Sequence, residues 1–260
     1  MLLEIEDLVR RFGGVRAVDD VHLAVPAGEL RGLIGPNGAG KSTLFYLVSG
    51  HLAPDRGTIR FDGQPIEALP PAARARLGIS LTFQTVHLFQ GMTVLENVMV
   101  GAHSWTRHEF VEAALRLRRH RREEPLIKER ALAAIERTGL AEWAGTPAEA
   151  LPLGRQRALQ IARALCSTPK LLLLDEPAAG LRGDERRQLT HLLAGLRSEG
   201  LTMLLVEHDI GFVSDVADII TVLDRGRVIA EGTPAQIRAD EAVISAYLGS
   251  SMDGDALDVV

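Results

Sequence analysis

Apolar positions along this chain follow two rhythms. Val21-His-Leu23-Ala-Val25 and Thr58-Ile59-Arg60-Phe61 alternate at a period of two, as strands with one covered face do, and Asp62-Gly63 is the two-residue step of a hairpin turn. The N-terminal part therefore reads as antiparallel β structure. Leu30, Leu33 and Ile34 make a further strand; after a glycine-rich step, Leu44, Phe45, Leu47 and Val48 make an apolar helix from Ser42 to about Ser49, ended by Gly50. Ile79 to Phe83 is a strand that stops at Gln84. Beyond it Thr93-x-x-Glu96 is a capping box opening an amphipathic segment through Val100, and helical patterning continues to about Leu151. Leu171 to Leu174 and Leu201 to Val206 are short apolar runs suited to strands buried on both faces, while Leu189, Leu192, Leu193 and Leu196 form one helical core stripe. Alternation of this kind predicts an α/β domain around a parallel sheet, interrupted by a helical region.

Chemistry enters at two places. Gly35-Pro36-Asn37-Gly38-Ala39-Gly40-Lys41-Ser42-Thr43 fits G-x-x-x-x-G-K-[S/T], in which glycines let successive N–H groups turn inward around phosphate oxygens. Lys41 reaches the β- and γ-phosphates, the Ser42 hydroxyl is a Mg²⁺ ligand, and the following helix points its positive end at the anion. Leu174-Asp175-Glu176 then sets two carboxylates at the carboxyl end of a buried strand, where ligands of parallel sheets bind. Asp175 suits the metal shell; Glu176, the next residue and facing the other way, suits a water attacking the γ-phosphate. Pro177 closes that strand. His208, after Leu204-Leu-Val206-Glu207, emerges at the same edge.

The 260 residues and 46% hydrophobic content allow one large domain or a core with an insertion. A net charge of −5 gives no global basic field for nucleic acid. The lone Cys166 excludes an internal disulfide, no Cys/His cluster suggests zinc, and a reducing, cytoplasmic setting is expected. No apolar run spans a membrane and no signal peptide is expected, so action at a membrane requires other subunits to span it. The charged run from Leu115 to Glu124 reads as a solvated helix face, with a partner-docking surface as the alternative. The tail from Ser250, with Asp253, Asp255 and Asp258, reads as a mobile end.

In order along the chain, these motifs resemble the ATP-binding cassette (ABC) ATPases. Phe12 sits where that family stacks an aromatic on adenine, and Gln84 matches the glutamine joining metal site to helical subdomain. Leu151-Pro-Leu-Gly154-Arg-Gln156 occupies the signature position, Ala178-Ala-Gly180-Leu181 follows the acidic pair, and His208 matches the switch histidine. The resemblance implies a P-loop NTPase (RecA-like) core with an antiparallel β subdomain, at residues 1–84 and 155–235. It also implies an inserted α-helical subdomain at 85–154, ending in the signature, and a C-terminal helix and tail at 236–260. It implies ATP with Mg²⁺ held by Ser42, Gln84 and Asp175. Catalysis falls to Glu176, His208 and Lys41, and two such subunits sandwich two nucleotides. The signature departs from the usual Leu-Ser-Gly-Gly-Gln: Pro152 replaces the serine and removes one N–H, while Gly154 and the helix dipole are expected to stay available to the partner-held phosphate. Arg155 is expected to supply a cation near that phosphate.

Thr82-Phe-Gln84, Met92-Thr-Val-Leu-Glu-Asn97, Gly232-Thr-Pro234 and Ile244-Ser-Ala-Tyr247-Leu248-Gly249 are most similar to ATPase subunits of branched-chain amino acid importers. That implies two membrane permease subunits, a second ATPase subunit, identical or not, and indirectly a substrate-binding protein, at the cytoplasmic face of the membrane. Importers of urea or short amides and a lipopolysaccharide exporter are the alternatives. A soluble cassette ATPase would carry two cassettes or a long coiled-coil insertion, for which the chain has no room. Intact Lys41, Glu176 and His208 argue against a non-catalytic ATP sensor, and no Asn-Lys-x-Asp motif favours GTP.

Overall fold

The computed structural model describes the backbone of residues 1–104 and 120–253 and the side chains of residues 1–102 and 124–247. Four strands alternate or hairpin into an antiparallel sheet: β1 (Leu3–Phe12) and β2 (Val15–Val25) before β3 (Leu30–Ile34), then β4 (Arg56–Phe61) and β5 (Gln64–Pro65), in the order β2-β1-β4-β5. Asp62 and Gly63 join β4 to β5 with φ of 51° and 76°, the paired positive dihedrals of a tight hairpin turn.

The second sheet has β3 at its centre. It adds β6 (Ile79–Thr82), β7 (Leu171–Asp175), β8 (Thr202–Val206), β9 (Ile219–Asp224) and β10 (Arg227–Gly232), in the order β10-β9-β3-β8-β7-β6. All neighbours are parallel except the β9–β10 hairpin. Every residue of β3, β7 and β8 is buried, as the uninterrupted apolar runs require, because the sheet is covered on both faces. One cover is α1 (Lys41–Ser49) with the antiparallel sheet, which share a core of Leu44, Phe45, Ile59 and Leu173. The other is helical and closes over Leu172, Leu174 and Leu205.

Between β4 and β6, α2 (Pro71–Leu77) carries the fully buried Arg74, which donates to the carbonyls of Leu47 and Val48 at 2.5 and 2.9 Å, and to those of Leu69 and Glu67. A cation there satisfies the orphan carbonyls at the end of α1. The helical region opens with α3 (Val94–Val100), whose capping box is formed: Thr93 N donates to Glu96 Oε2 at 2.8 Å and Glu96 N to Thr93 Oγ1 at 3.2 Å. It continues with α4 (His120–Arg137) and α5 (Leu153–Leu165). Then come α6 (Gly183–Ser198), α7 (Ile210–Val216), α8 (Pro234–Ala239) and α9 (Glu241–Asp253). In α6 Leu189, Leu193 and Leu196 are buried and Leu192 packs partly against the same core.

The expectations shift at the ends: α1 begins at Lys41, β8 at Thr202, and β6 stops at Thr82, one residue earlier than its apolar run, while β2 and β4 begin earlier than their alternating stretches, at Val15 and Arg56. Pro152 is a cap before α5, with φ −58° and ψ 156°, and not a residue of its first turn, so its missing N–H removes no helical bond. The side chains of residues 115–123 and of the tail from Ser250 lie outside the described ones, and with them the charged run and the acidic end.

Candidate nucleotide-binding site

Parallel strands deliver the loops after Ile34, Thr82, Asp175 and Val206 to one edge of the sheet, and the candidate site is built from those four loops. The first is the phosphate loop. Gly35, at φ 150°, sits so close to the chain that a Cβ would lie 2.1 Å from Leu223 O; at Gly40, φ 102°, it would lie 2.1 Å from Ala17 O. Only glycine permits that backbone against β2 and β9, so the loop is seated by its base and open at Gly38, where a Cβ would meet nothing. Ala39 is buried and Gly226 N donates to its carbonyl at 2.9 Å, fixing the loop to the β9–β10 turn.

Lys41 is buried beneath this loop, its Nζ donating to Gly35 O at 2.7 Å and Pro36 O at 2.9 Å. Burial pulls its pKa below the ordinary ammonium value, against the opposing pull of Glu176 and Glu207. Ser42 is exposed in the first turn of α1 and Thr43 half-buried beside it. Phe12 ends β1 at the tip of the β1–β2 hairpin, 45% exposed, with the Arg10 guanidinium 4.9 Å from its ring centroid. Ala17 of that hairpin is the residue against which Gly40 packs. An aromatic face is thus presented to solvent on the strand pair that abuts the loop.

At the end of β7, Asp175 is 6% exposed, and burial, reinforced by neighbouring Glu176, pushes its carboxyl up to about 6. A carboxyl so placed suits a divalent cation, whose charge would oppose that upward shift. The Ser42 hydroxyl and the Gln84 amide carry further oxygens of the hard kind that Mg²⁺ prefers, so the residue types present fit that ion. Glu176 differs from the sequence reading. The strand has already ended, and Glu176 adopts φ 43°, a left-handed conformation that costs a non-glycine residue about 1–3 kcal/mol. Its aim comes from that turn and not from strand alternation. Gln84 Nε2 donates to Glu176 Oε2 at 2.7 Å, and His208 Nδ1 lies 3.9 Å from Glu176 Oε1. Gln84, Glu176 and His208, distant in sequence, therefore form one cluster.

Three further residues hold this cluster, and none was singled out from the sequence. Glu207, 1% exposed, accepts from Ala178 N at 3.0 Å and lies 3.6 Å from His208 Nδ1; burial raises its pKa. Arg157 on α5 donates to the carbonyls of Gln84 and, at 3.1 Å, Ala179. Gln160, one turn on, donates to Thr85 O at 3.0 Å and Phe83 O at 3.4 Å. The available signal was a charged residue closing an apolar strand, Val206-Glu207, and polar residues on the inner face of an otherwise apolar helix.

The signature region corrects one expectation. The N–H of Gly154 is not available to an external anion: it donates to Glu185 Oε1 of α6 at 2.9 Å. Arg155 turns back within the chain, Nη1 donating to Gly139 O at 2.9 Å. Phosphate loop, acidic pair and switch histidine stand together in this conformation, while Gly154 and Arg155 are engaged elsewhere in the same chain.

A glycine loop feeding a helix, a buried lysine at its end, and an acidic pair after β7, one strand removed from β3 in the sheet, define a P-loop ATPase. The sequence signature of the ABC transporter family matches residues 18–179, and that of the branched-chain amino acid ATP-binding cassette transporters matches residues 227–253. The chain belongs to the ABC transporter family, as an ATP-hydrolysing subunit. It is 43% identical over 251 residues to the high-affinity branched-chain amino acid transport ATP-binding protein BraF of Pseudomonas aeruginosa, covering 96% of this chain and 98% of that one. LivG of Escherichia coli, a protein of the same description, gives the same figures. The lipopolysaccharide export system ATP-binding protein LptB of Escherichia coli is 35% identical over 247 residues, covering 95% and 97%. Among solved structures, the ADP conformation of MJ1267, an ATP-binding cassette of an ABC transporter, superposes with a TM-score of 0.84 at 31% identity, covering 95% and 98%.

Proposed function

We propose that this chain hydrolyses MgATP to drive import of branched-chain or related amino acids through two separate permease subunits, working with a second ATPase subunit at the cytoplasmic face of the membrane. The observation that carries the hydrolytic reading is the grouping of Gln84, Glu176 and His208 beside Lys41. Among the described residues no helix is long and apolar enough to cross a membrane, so on this reading other chains form the path. The cargo reading rests on the relatives BraF and LivG and on the C-terminal match at residues 227–253, which favours it over the more distant LptB.

The phosphate loop binds the nucleotide tail through its N–H groups, and Lys41 moves its ammonium from the Gly35 and Pro36 carbonyls to the β- and γ-phosphates. Phe12 stacks on the adenine. Ser42, Asp175 and Gln84 would hold Mg²⁺, which supplies charge stabilisation at the phosphoryl oxygens. Glu176 orients a water for in-line attack and accepts its proton, with Gln84 fixing one carboxylate oxygen and His208 facing the other. The Gly154 end of α5 from a second subunit covers the γ-phosphate, so binding favours closure and hydrolysis permits reopening.

In steady-state turnover Glu176→Gln should lose about 10²- to 10⁴-fold of kcat while still binding ATP, the reach of a general base. Undiminished kcat removes Glu176 from its role. Mass spectrometry of what co-purifies with that variant from gently solubilised membranes in MgATP tests the rest. Two polytopic permease subunits with an amino acid-binding protein are expected, and recovery of soluble partners alone would refute the transport reading.

A further inference from the structure

The segment directly after Glu176 is gripped by two buried side chains of opposite charge. Glu207, at the end of β8, takes the N–H of Ala178 at 3.0 Å; Arg157, on α5, gives a hydrogen bond to the carbonyl of Ala179 at 3.1 Å. Both are almost wholly buried, at 1% and 7% exposure. The other Arg157 amino group donates to the carbonyl of Gln84, whose side chain bonds Glu176, and the other Glu207 oxygen lies against His208. One guanidinium thus ties the Gln84 loop to the 178–179 segment, and one carboxylate ties that segment to His208.

We infer that Arg157 and Glu207 are positioning residues for hydrolysis, a clamp that holds Glu176 in its left-handed turn between Gln84 and His208. The inference rests on the proposed role of Glu176 as the base. Burying two ions is unfavourable unless they are compensated, and here each is answered by backbone dipoles of the segment between them. Burial weakens the Arg157 cation, while the Glu207 and Glu176 charges favour it. The left-handed Glu176 is a strained residue, and such a residue persists only where its surroundings over-determine it. Clamping the peptide units on its carboxyl side does so. Guanidinium geometry is needed because two carbonyls from different loops must be met at once, which a single ammonium donor point does poorly.

The test is steady-state hydrolysis of MgATP by the full chain carrying Arg157→Met, Arg157→Lys, Glu207→Ala or Glu207→Gln, beside Glu176→Gln. Thermal melting verifies folding, and deuterium uptake is followed in the peptide covering residues 176–181. Arg157→Met and Glu207→Ala should lose roughly tenfold or more in kcat with KM for ATP changed less than about twofold, since only placement of the base is disturbed. Arg157→Lys should fall short of rescue. Glu207→Gln keeps an acceptor for Ala178 N–H, so it should retain more kcat than Glu207→Ala and leave exchange at residues 176–181 slow where Glu207→Ala accelerates it. A kcat within twofold of wild type in folded Arg157→Met, or equal losses and equal exchange in the two Glu207 variants, overturns the clamp. If Arg157→Met does not fold, the Glu207 pair decides alone. Full activity in Glu176→Gln would instead overturn the underlying assignment, and the clamp with it.

Discussion

Glu185→Ala isolates the contact that occupies the signature helix. Glu185 is half-buried, and its carboxylate accepts from Gly154 N at 2.9 Å, within the first turn of α5, where Pro152 offers no side-chain cap. On the proposed sandwich that N–H is needed by the phosphate held on the other subunit, so the carboxylate and the phosphate compete for it. A carboxylate at a helix N-terminus is worth about 0.3–1 kcal/mol when exposed and approaches 2 kcal/mol when partly buried. Taking about 1 kcal/mol for this half-buried site gives roughly a fivefold gain per site when it is removed, since 1.36 kcal/mol is tenfold. Two sites per dimer give roughly 25-fold in the ATP-dependent dimerisation constant. The assay is light scattering after size exclusion over an ATP titration, comparing Glu176→Gln with Glu176→Gln/Glu185→Ala. The doubly substituted protein should dimerise at lower ATP although its monomer, deprived of a helix cap, melts a few degrees earlier. A simple loss of structure moves both readouts the same way. If the double variant needs as much ATP as the single one, or more, competition at Gly154 is refuted.

Two more predictions follow from buried or paired charges. Arg74→Met strips the donors from Leu47, Val48, Leu69 and Glu67 carbonyls and should lower stability by about 3 kcal/mol or more, read as a fall in the urea midpoint; a loss under about 1 kcal/mol would show that water or relaxation replaces the guanidinium. Asp209 is held down to about 2 from 3.8, first by its hydrogen bond to Arg186, so the stability it adds is present above about pH 4 and lost as pH falls towards 2. Wild type should therefore melt above Asp209→Asn by a constant margin from pH 5 to 8, and the margin should close on acidification; a gap that widens in acid contradicts the assignment.

What the sequence made legible followed from how local the cause was. The phosphate loop, the Thr93–Glu96 capping box and the Asp62–Gly63 turn are specified by residues within a few positions of one another, and all three form. Leucine runs were equally plain, because a strand buried on both faces has no polar positions to dilute it. The position of Glu176 was read correctly at the sheet edge but for the wrong local reason, since alternation ends where the strand ends. Arg157, Glu185 and Glu207 escaped because their partners lie 22 to 73, 31 and 29 residues away and are mostly backbone groups, which leave no mark on a sequence. Gly154 was expected to be free for the same reason: nothing near it in the chain predicts the carboxylate that α6 brings to it.

These long-range contacts divide the site into two halves with different readiness. The half belonging to one chain is assembled: Gln84 on Glu176, His208 beside it, and Lys41 under the loop, its ammonium held by two carbonyls. The half that would act on another chain is self-satisfied, Gly154 by Glu185 and Arg155 by Gly139 O. On the proposed sandwich, nucleotide binding by one subunit would cost little rearrangement, whereas closure would have to break two hydrogen bonds per subunit before the new ones form. The energetic threshold would then fall on closure and not on binding. For the proposed transporter that ordering would be useful, because a threshold at closure could be lowered by whatever the membrane subunits do to α5. The Gln84 loop that would face them is tied to α5 through Arg157, Gln160 and Arg163, the last donating to His87 O at 2.8 Å. That loop and the helix that carries Gly154 are thus joined by side-chain hydrogen bonds, the route by which, on the proposed transport reading, a signal at Gln84 would bear on the Gly154–Glu185 contact.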